Sequence, residues 1–297
     1  MKHLLIVLLL SVFFSSCLDL DDNLYSPTKL TSYERDNYDG ETEIVLDDTY
    51  IIPDSLIYEF TLNSKDSTES SSTKIFATYI GSLSRIDRDT VIMYCHGNSD
   101  HMDKYWPRAK LLAHTGSKNR FGVLMIDYRG YGLSEGKPSE IGLYADVDAA
   151  LQWLEDNGLT DNRLVIYGYS MGSAPATELT ANARSMKPSK LILEAPFASA
   201  EVMVQDAAEL SVPASFVTNL EIDNAEEIKK VRGPFLWFHG KADDFLYIET
   251  HGEIVYKNYL APDSVAYRVE NANHTDLPSV MGFDEYNAAI LDFLTNY

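Results

Sequence analysis

The chain has 297 residues, 45% of them hydrophobic, which is enough to bury a sizeable core in a single open α/β sheet with insertions. Its net charge of -21 argues against nucleic-acid binding and against electrostatic attachment to an anionic membrane. The charge is uneven, because residues 17–73 contain fourteen Asp or Glu and three Lys or Arg. We therefore expect residues 17–50 to be an acidic, weakly ordered tether.

Residues 1–16 have the pattern of an export signal peptide. A short basic start precedes an apolar stretch at 4–14 that is too short to span a bilayer. The four residues ending at Cys17 resemble the lipobox of bacterial lipoproteins, with Phe14 where that motif prefers Leu. This resemblance implies a lipid anchor on Cys17 and a place in the bacterial cell envelope, at the outer membrane or cell surface. Ordinary cleavage would instead give a soluble secreted or periplasmic protein.

The cysteine content excludes a disulfide framework. The sequence holds two cysteines, so a lipidated Cys17 would leave Cys95 without a partner. Cys95 ends an apolar run, and we expect it to be a buried thiol rather than a nucleophile.

From residue 56 onward, short apolar segments alternate with helical patterns. Two β-rich segments, at 56–62 and 74–80, predict a hairpin. Further strands are predicted at 91–95, 123–126, 164–167, 191–193, 235–238 and 265–269. Helices are predicted at 141–155, 174–185, 248–259 and 286–294. The pattern predicts one α/β domain over residues 51–297, with a mostly parallel, doubly wound sheet and an N-terminal antiparallel hairpin.

Residues 196–232 form a long excursion between two predicted strands. Long insertions after a strand often cover a site, so we expect a small lid there, with surface decoration as the alternative. Three aromatic residues are candidates for an apolar pocket or for the core: Phe197, Phe216 and Phe245.

A Gly-x-Ser-x-Gly motif is centred on Ser170. It directly follows the predicted strand 164–167 and directly precedes helix-forming sequence. A serine on a sharp turn between strand and helix needs small residues two positions away, and Gly168 and Gly172 meet that need. The helix N-terminus also brings backbone N–H groups towards developing negative charge. We therefore predict that Ser170 is a catalytic nucleophile.

Chain order restricts the partners of Ser170. In such sites the acid follows the serine, and the histidine comes after the last strand. Asp243 and His274 each follow a predicted strand, so we predict that Asp243 orients His274 and that His274 acts as the base. Asp244 is the alternative acid, and Asp276 is a third candidate.

A site of this kind also needs donors for an oxyanion. The strand 91–95 runs into a His-Gly turn, so we predict that the backbone N–H groups of Asn98 and Met171 form an oxyanion hole. Of the other histidines, His239 is predicted to be structural and His251 to lie on the surface. No metal-ligand cluster stands out in the sequence, and we expect neither a metal nor a cofactor.

Six short motifs, in this order, are similar to those of the α/β-hydrolase superfamily. They lie at 96–98 (His-Gly-Asn), 127–136, 168–172, 194–197 (Glu-Ala-Pro-Phe), 239–243 (His-Gly-Lys-Ala-Asp) and 272–274 (Ala-Asn-His). The resemblance covers residues 56–297 and is strongest to small-lid serine hydrolases, which include bacterial esterase-like and aminopeptidase-like proteins. It implies the α/β-hydrolase fold and a Ser-Asp-His triad, and it leaves the substrate open.

Three functions follow from these observations. We expect a serine hydrolase that cleaves carboxylic esters of small molecules through an acyl-enzyme at Ser170. The first alternative is a peptide or amide hydrolase with the same triad. Acidic residues in the pocket would favour this alternative, and the candidate acids are Glu194, Glu209, Glu221 and Asp223. The second is a non-catalytic surface-binding lipoprotein. Nothing in the sequence resembles a coiled coil or a repeat, so we expect a monomer.

Overall fold

A central β-sheet organises the computed structural model, which describes residues 25–38, 42–207 and 218–297. The strands are β1 (Ser26–Pro27), β2 (Ile57–Ser64), β3 (Thr73–Ile80), β4 (Val91–Cys95), β5 (Ser99–Asp100), β6 (Gly122–Ile126), β7 (Leu164–Tyr169), β8 (Lys190–Glu194), β9 (Phe235–Gly240) and β10 (Ser264–Val269). Eight of them form one sheet in the order β10-β9-β8-β7-β4-β6-β3-β2. The short strands β1 and β5 pair with each other in parallel.

The sheet is parallel from β10 to β6 and antiparallel at its other edge. β2 pairs with β3, and β3 with β6, in antiparallel register, while the remaining neighbours are parallel. The predicted lead-in hairpin and parallel sheet are therefore confirmed. Every residue of β4, β6, β7 and β9 is buried, which is why these strands are continuous apolar runs rather than alternating ones.

Helices cover both faces of the sheet. They are α1 (Trp106–Ala113), α2 (Glu140–Asp156), α3 (Ser173–Ala181), α4 (Ala200–Ala207), α5 (Asn224–Glu227), α6 (Gly252–Asn258), α7 (Leu277–Met281) and α8 (Phe283–Asn296). One core cluster joins the sheet to α2, α3 and α6, and a second joins it to α1, α7 and α8. Parallel strands need such helical crossovers, and the result is a doubly wound domain.

Helix α1 is not among the helices predicted from the sequence. Its second residue is Pro107, which the first turn of a helix tolerates because the N–H groups there have no intrahelical acceptor. Arg108 and Lys110 are buried together with the apolar residues of the helix. Because the polar residues are buried too, α1 lacks the polar stripe that identifies an amphipathic helix.

The N-terminal arm, which we define as residues 25–38, differs from the predicted tether. Its backbone pairs with β5, and the Tyr33 hydroxyl donates to Asp127 Oδ2 at 2.6 Å. Asp36 accepts from the Trp106 indole at 3.1 Å. Further along, Ile44 is buried. The expectation of a weakly ordered segment is therefore wrong for these stretches, in which backbone pairing and single polar contacts such as those of Tyr33 and Asp36 hold the chain on the domain.

Several other expectations fall on residues outside the described ranges. These are the signal peptide at 1–16, the lipidation site Cys17, and the middle of the predicted lid, with Glu209 and Phe216. The described parts of the lid contain α4 and α5. In the described part of the chain, no helix has the length and apolarity required to cross a membrane.

Replacing Tyr33 by Phe tests whether the arm is an integral part of the fold. Asp127 Oδ1 already accepts from the Met102 N–H at 2.7 Å, and Tyr33→Phe removes the donor to the other, fully buried oxygen. We expect a loss of about 1–3 kcal/mol in the free energy of unfolding, measured by urea denaturation. The control Tyr58→Phe changes an exposed tyrosine and is expected to stay within about 0.5 kcal/mol. Equal stability of both variants would contradict the packed arm.

Candidate active site

Ser170 stands at the junction of β7 and α3. Its φ of +51° lies in the left-handed region, which non-glycine residues seldom adopt. One tight turn, Ser170–Gly172, connects the strand to the first residue of α3, Ser173. The side chain is largely buried but lines a cleft. This strained strand-turn-helix geometry projects the hydroxyl from the carboxyl end of the sheet.

The glycines on either side of Ser170 are required by close backbone contacts. A Cβ on Gly168 would lie 2.5 Å from the carbonyl oxygen of Gly172 and 2.7 Å from the Cα of Ser173. A Cβ on Gly172 would overlap the Cys95 carbonyl at the end of β4. The structure therefore shows why the motif needs glycine at both positions. The absence of a side chain at Gly172 also lets the end of β4 lie against the serine turn.

The structure brings together the side chains of Ser170, Asp243 and His274. His274 Nε2 lies 2.9 Å from Ser170 Oγ, and its Nδ1 lies 2.8 Å from Asp243 Oδ2. The acid follows β9 and the histidine follows β10, and because these strands run parallel to β7 their carboxyl ends share one edge of the sheet. A carboxylate can only accept, so the Nδ1 of His274 carries the proton and its Nε2 faces Ser170 as an acceptor.

The two alternative acids have other positions. Asp244 is exposed, and its backbone N–H donates to Asn273 Oδ1 at 3.2 Å. Asp276 accepts from the Asn273 N–H at 2.7 Å and so fixes the turn that carries His274. The geometry favours Asp243 over both.

Asp243 is held as a charged, buried acceptor. Burial alone would raise its pKa, but hydrogen bonds from His239 and His274, the charge of His274 and the Leu246 N–H together lower the pKa well below its usual range. Its Oδ1 accepts from the N–H groups of Phe245 and Leu246 at 3.0 and 2.8 Å. The carboxylate therefore stays ionised beside His274 at any pH near neutrality.

His239, which was predicted from the sequence to be structural, contacts the carboxylate of Asp243. Its Nε2 lies 2.9 Å from the Leu246 carbonyl oxygen and 3.3 Å from Asp243 Oδ2. Both neighbours are acceptors, so this nitrogen carries a proton, and His239 and His274 approach the same oxygen of Asp243. His239 lies in β9 and Asp243 in the turn that follows it, so no periodicity in the sequence indicated this contact.

A buried network holds the turn that follows His274. Arg108 on α1 donates to Glu194 at 2.5 Å and to the Thr275 carbonyl at 2.6 Å. Glu194, at the end of β8, also accepts from the hydroxyls of Tyr167 and Tyr286. Because a buried charge is tolerated only when it is paired and hydrogen-bonded, this network ties α1, β8 and the histidine turn into one unit.

The predicted oxyanion residues lie beside Ser170. Asn98 follows β4, and its Oδ1 accepts from the Tyr131 hydroxyl at 2.8 Å. Met171 follows the serine at the first turn of the helix. Both residues border the same apolar pocket as Ser170. Asn98 and Met171 therefore lie beside the serine, where the sequence predicts the oxyanion hole.

Two cavities meet at Ser170. An open cleft of about 520 Å³ has a polar lining that includes Glu43, Lys104 and Asp244. The second is a small apolar pocket of about 40 Å³, lined by Tyr25, Met171, Phe197, Met203, Leu220, Ile222 and Phe245. Met203, Leu220 and Ile222 come from the predicted lid segment, which therefore borders the pocket in its described parts.

His251 lies elsewhere than expected. It is fully buried, and its Nδ1 accepts from the Ala198 N–H at 3.1 Å. Burial lowers its pKa to about 4, so it is neutral near pH 7. The prediction of a surface histidine is wrong: His251 stands just before α6, which begins at Gly252, and its ring accepts from the Ala198 N–H in the interior. The missing side chain of Gly252 leaves room for the neighbouring His239 ring.

Comparisons with known proteins agree with this geometry. Residues 87–229 match the family model "Serine aminopeptidase, S33". An esterase of Pyrococcus furiosus superposes with a TM-score of 0.67 over 92% of this chain and 98% of its own, at 16% identity. This likeness, together with the sheet order and the serine turn, decides the fold.

The chain has the α/β-hydrolase fold. The fold class predicted from the sequence is thus confirmed. Alpha/beta hydrolase domain-containing protein 17B of Xenopus tropicalis is 29% identical over 206 residues, which are 69% of this chain and 66% of that protein. Its Xenopus laevis counterpart is matched over 60% of its length, so the chain spans less than two thirds of these two relatives. The uncharacterised Escherichia coli (strain K12) protein YfhR is 27% identical over 253 residues, 82% of this chain and 86% of YfhR.

The proteins similar to this chain thus include α/β-hydrolase domain-containing proteins and an esterase. These are similarities of sequence and fold, and one fold can host many different reactions.

The lowered pKa of Asp243 predicts a pH-dependent contribution to stability. Because its pKa is lower in the folded than in the unfolded protein, the carboxylate stabilises the fold above about pH 4, and this contribution is lost as the pH falls through the folded-state value. Asp243→Asn is expected to lower the free energy of unfolding at pH 7 by about 1–3 kcal/mol. The difference from wild type should shrink below about pH 4.

Urea denaturation between pH 3 and 7 measures this difference. Asp244→Asn, which changes an exposed neighbouring carboxylate, serves as the control and should stay within about 0.5 kcal/mol of wild type. A constant difference between Asp243→Asn and wild type across this range would argue against a depressed pKa.

Proposed function

We propose that this protein is a serine hydrolase that cleaves carboxylic esters of small molecules through an acyl-enzyme on Ser170. The observation that carries the proposal is the chain of contacts from Ser170 Oγ through His274 to Asp243, with distances of 2.9 and 2.8 Å, at the junction of two cavities. These contacts join three residues that lie far apart in the sequence, and the arrangement is that of an activated nucleophile with its base and orienting acid.

The first half of the reaction forms the acyl-enzyme. Ser170 Oγ attacks the ester carbonyl carbon while its proton passes to His274 Nε2. The Asp243 carboxylate stabilises the resulting imidazolium. The tetrahedral oxyanion receives hydrogen bonds from the backbone N–H groups of Asn98 and Met171, and collapse of the intermediate transfers the proton from His274 to the leaving alcohol.

The second half releases the acid. A water molecule gives its proton to His274 Nε2 and attacks the acyl carbon through the same oxyanion geometry. His274 then returns the proton to Ser170 Oγ as the acid leaves. No redox step or cofactor is required for this balance.

The two cavities at Ser170 differ in size and polarity, which supports a substrate ester whose acyl and alcohol parts differ in the same way. The pocket bordered by Met171, Phe197 and Phe245 is apolar and, at about 40 Å³, suits a short acyl group. The larger polar cleft, which is bordered by His274, suits the leaving group.

Labelling with a fluorophosphonate probe tests the nucleophile. The probe forms a covalent bond with an activated serine, so native wild-type protein should be labelled once, and both labelling and ester hydrolysis should be lost in Ser170→Ala. Ser84→Ala changes an exposed serine that borders neither cavity and should keep both. Loss of kcat in Ser170→Ala should be on the order of 10⁶-fold. Unlabelled but folded wild-type protein would refute the proposal and favour a non-catalytic binding protein.

A peptide or amide hydrolase is a second candidate. The matching family model carries the name of an aminopeptidase, and the carboxylates of Glu43 and Asp244 border the polar cleft, where they suit a substrate ammonium group. Among the described acids singled out from the sequence, Glu194 is engaged with Arg108, Asp223 caps helix α5, and Glu221 borders neither cavity. Glu209 lies outside the described residues. Parallel assays with acyl esters and aminoacyl anilides separate the two candidates, because an aminopeptidase would require the free amine.

We also propose that Cys17 carries a lipid anchor and that the domain works at the surface of the cell envelope. The support is the lipobox-like sequence that ends at Cys17. Full-length protein expressed in bacteria should partition with the membrane fraction and into detergent, whereas Cys17→Ser should not. Equal partitioning of both forms would contradict the anchor.

A further inference from the structure

The N-terminal arm makes its contacts on the loop that follows β4. The strand pair joins Ser26 to Ser99 and Pro27 to Asp100. Beyond it, Thr28 bonds to Asp100 through both its backbone N–H, at 3.2 Å, and its hydroxyl, at 2.9 Å. The arm therefore holds the same loop that carries Asn98.

The same loop is fixed further along by backbone groups of the arm. The N–H groups of Glu34 and Arg35 both donate to the carboxylate of Asp103, at 2.6 and 3.0 Å. The Tyr38 ring packs edge-on against His101 with 4.9 Å between ring centres. Asp103 and His101 are both buried beneath these contacts. The bonds from Glu34 and Arg35 therefore satisfy a carboxylate that is buried in the folded protein, and they tie the arm to this loop.

The oxyanion turn, residues 96–98, has no regular secondary structure of its own. Hydrogen bonds from elsewhere fix its position: the Tyr128 hydroxyl donates to the His96 carbonyl at 2.9 Å, and the Tyr131 hydroxyl donates to Asn98 Oδ1 at 2.8 Å. The second partner of Asn98 Oδ1 comes from the arm, because the Ser26 N–H donates to it at 3.1 Å. The Asn98 side chain, at the end of the turn, therefore accepts hydrogen bonds from both the domain and the arm.

The residue before Ser26 reaches the substrate pocket itself. The half-buried side chain of Tyr25 borders the apolar pocket together with Ser170, Met171 and Phe245. Tyr25 is therefore a wall of the cavity that the proposed function assigns to the acyl chain.

We propose that residues 25–28 form part of the active site. This inference rests on the function proposed above. Ser26 is a positioning residue: its N–H holds Asn98, and through it the backbone N–H that meets the oxyanion. Tyr25 is a specificity-determining residue that limits the length of the acyl chain. The segment that connects the domain to the predicted lipid anchor therefore also sets the rate of ester hydrolysis and the selectivity for the acyl chain.

Three variants separate these roles by steady-state kinetics on p-nitrophenyl esters. Ser26→Pro removes the N–H donor and keeps an extended backbone, so we expect kcat to fall about tenfold with KM within about twofold, because an oxyanion contact acts in the transition state only. Tyr25→Ala enlarges the pocket, so we expect the ratio of kcat/KM for octanoate over acetate to rise about tenfold. Lys29→Met removes a contact of the arm with the Ser134 carbonyl, away from the oxyanion turn, and is the control, with both parameters near wild type.

Circular dichroism and thermal unfolding establish that each variant is folded. If Ser26→Pro does not fold, Asn98→Ala removes the same hydrogen bond from the side of the loop and carries the same expectation for kcat. Wild-type kcat in a folded Ser26→Pro or Asn98→Ala would overturn the positioning role. An unchanged acyl-chain ratio in Tyr25→Ala would overturn the specificity role.

Fluorophosphonate labelling distinguishes failure of this inference from failure of the proposed function. If wild type is labelled at Ser170 and hydrolyses esters but the arm variants match it, only the role of the arm is wrong. If wild type itself is neither labelled nor active, the function is wrong.

Discussion

The left-handed backbone at Ser170 is the constraint on which the site depends. A φ of +51° at a residue with a side chain is unfavourable by itself, and the surrounding packing must hold it there. That packing consists of backbone in contact with backbone: Gly168 against the start of α3, and Gly172 against the carbonyl at the end of β4. The contact that permits the strained serine therefore also brings the oxyanion turn against it.

Buried charge fixes the other half of the site. Asp243 is fully charged in the interior because two histidines and two backbone N–H groups face it. A second carboxylate, Glu194, is balanced by Arg108, which also holds the carbonyl of the residue after His274. An unpaired charge in either place would be costly, so the pairs select one arrangement of the histidine turn. We infer that the base is pre-positioned before substrate binds, with its carboxylate partner already in place.

The sequence predicted those features that depend on short spacings or on chain order. The serine motif lies within five residues and carries its steric reason with it. Asp243 and His274 were found because each follows a strand, and parallel strands bring their carboxyl ends to one edge. The sheet order then places the ends of β9 and β10 on the same side of β7.

Features held by single polar contacts escaped prediction. The arm bonds to the loop after β4 through backbone N–H groups and isolated side chains such as Thr28 and Tyr33, which leave no periodic signal. Its acidic composition is typical of solvated chain, although Asp36 faces Trp106 and Lys110. His251 was misplaced for a related reason, since its burial depends on the Ala198 backbone, 53 residues away in sequence.

The most direct test of the account is to observe the acyl group on Ser170. Rapid mixing of the protein with a p-nitrophenyl ester should give a burst of p-nitrophenolate close to one equivalent per protein. Intact mass after acid quenching should increase by one acyl group, and peptide mapping should locate that group on Ser170. Hydrolysis with no burst and no covalent adduct under any quench condition, or an adduct on another residue, would contradict the central claim.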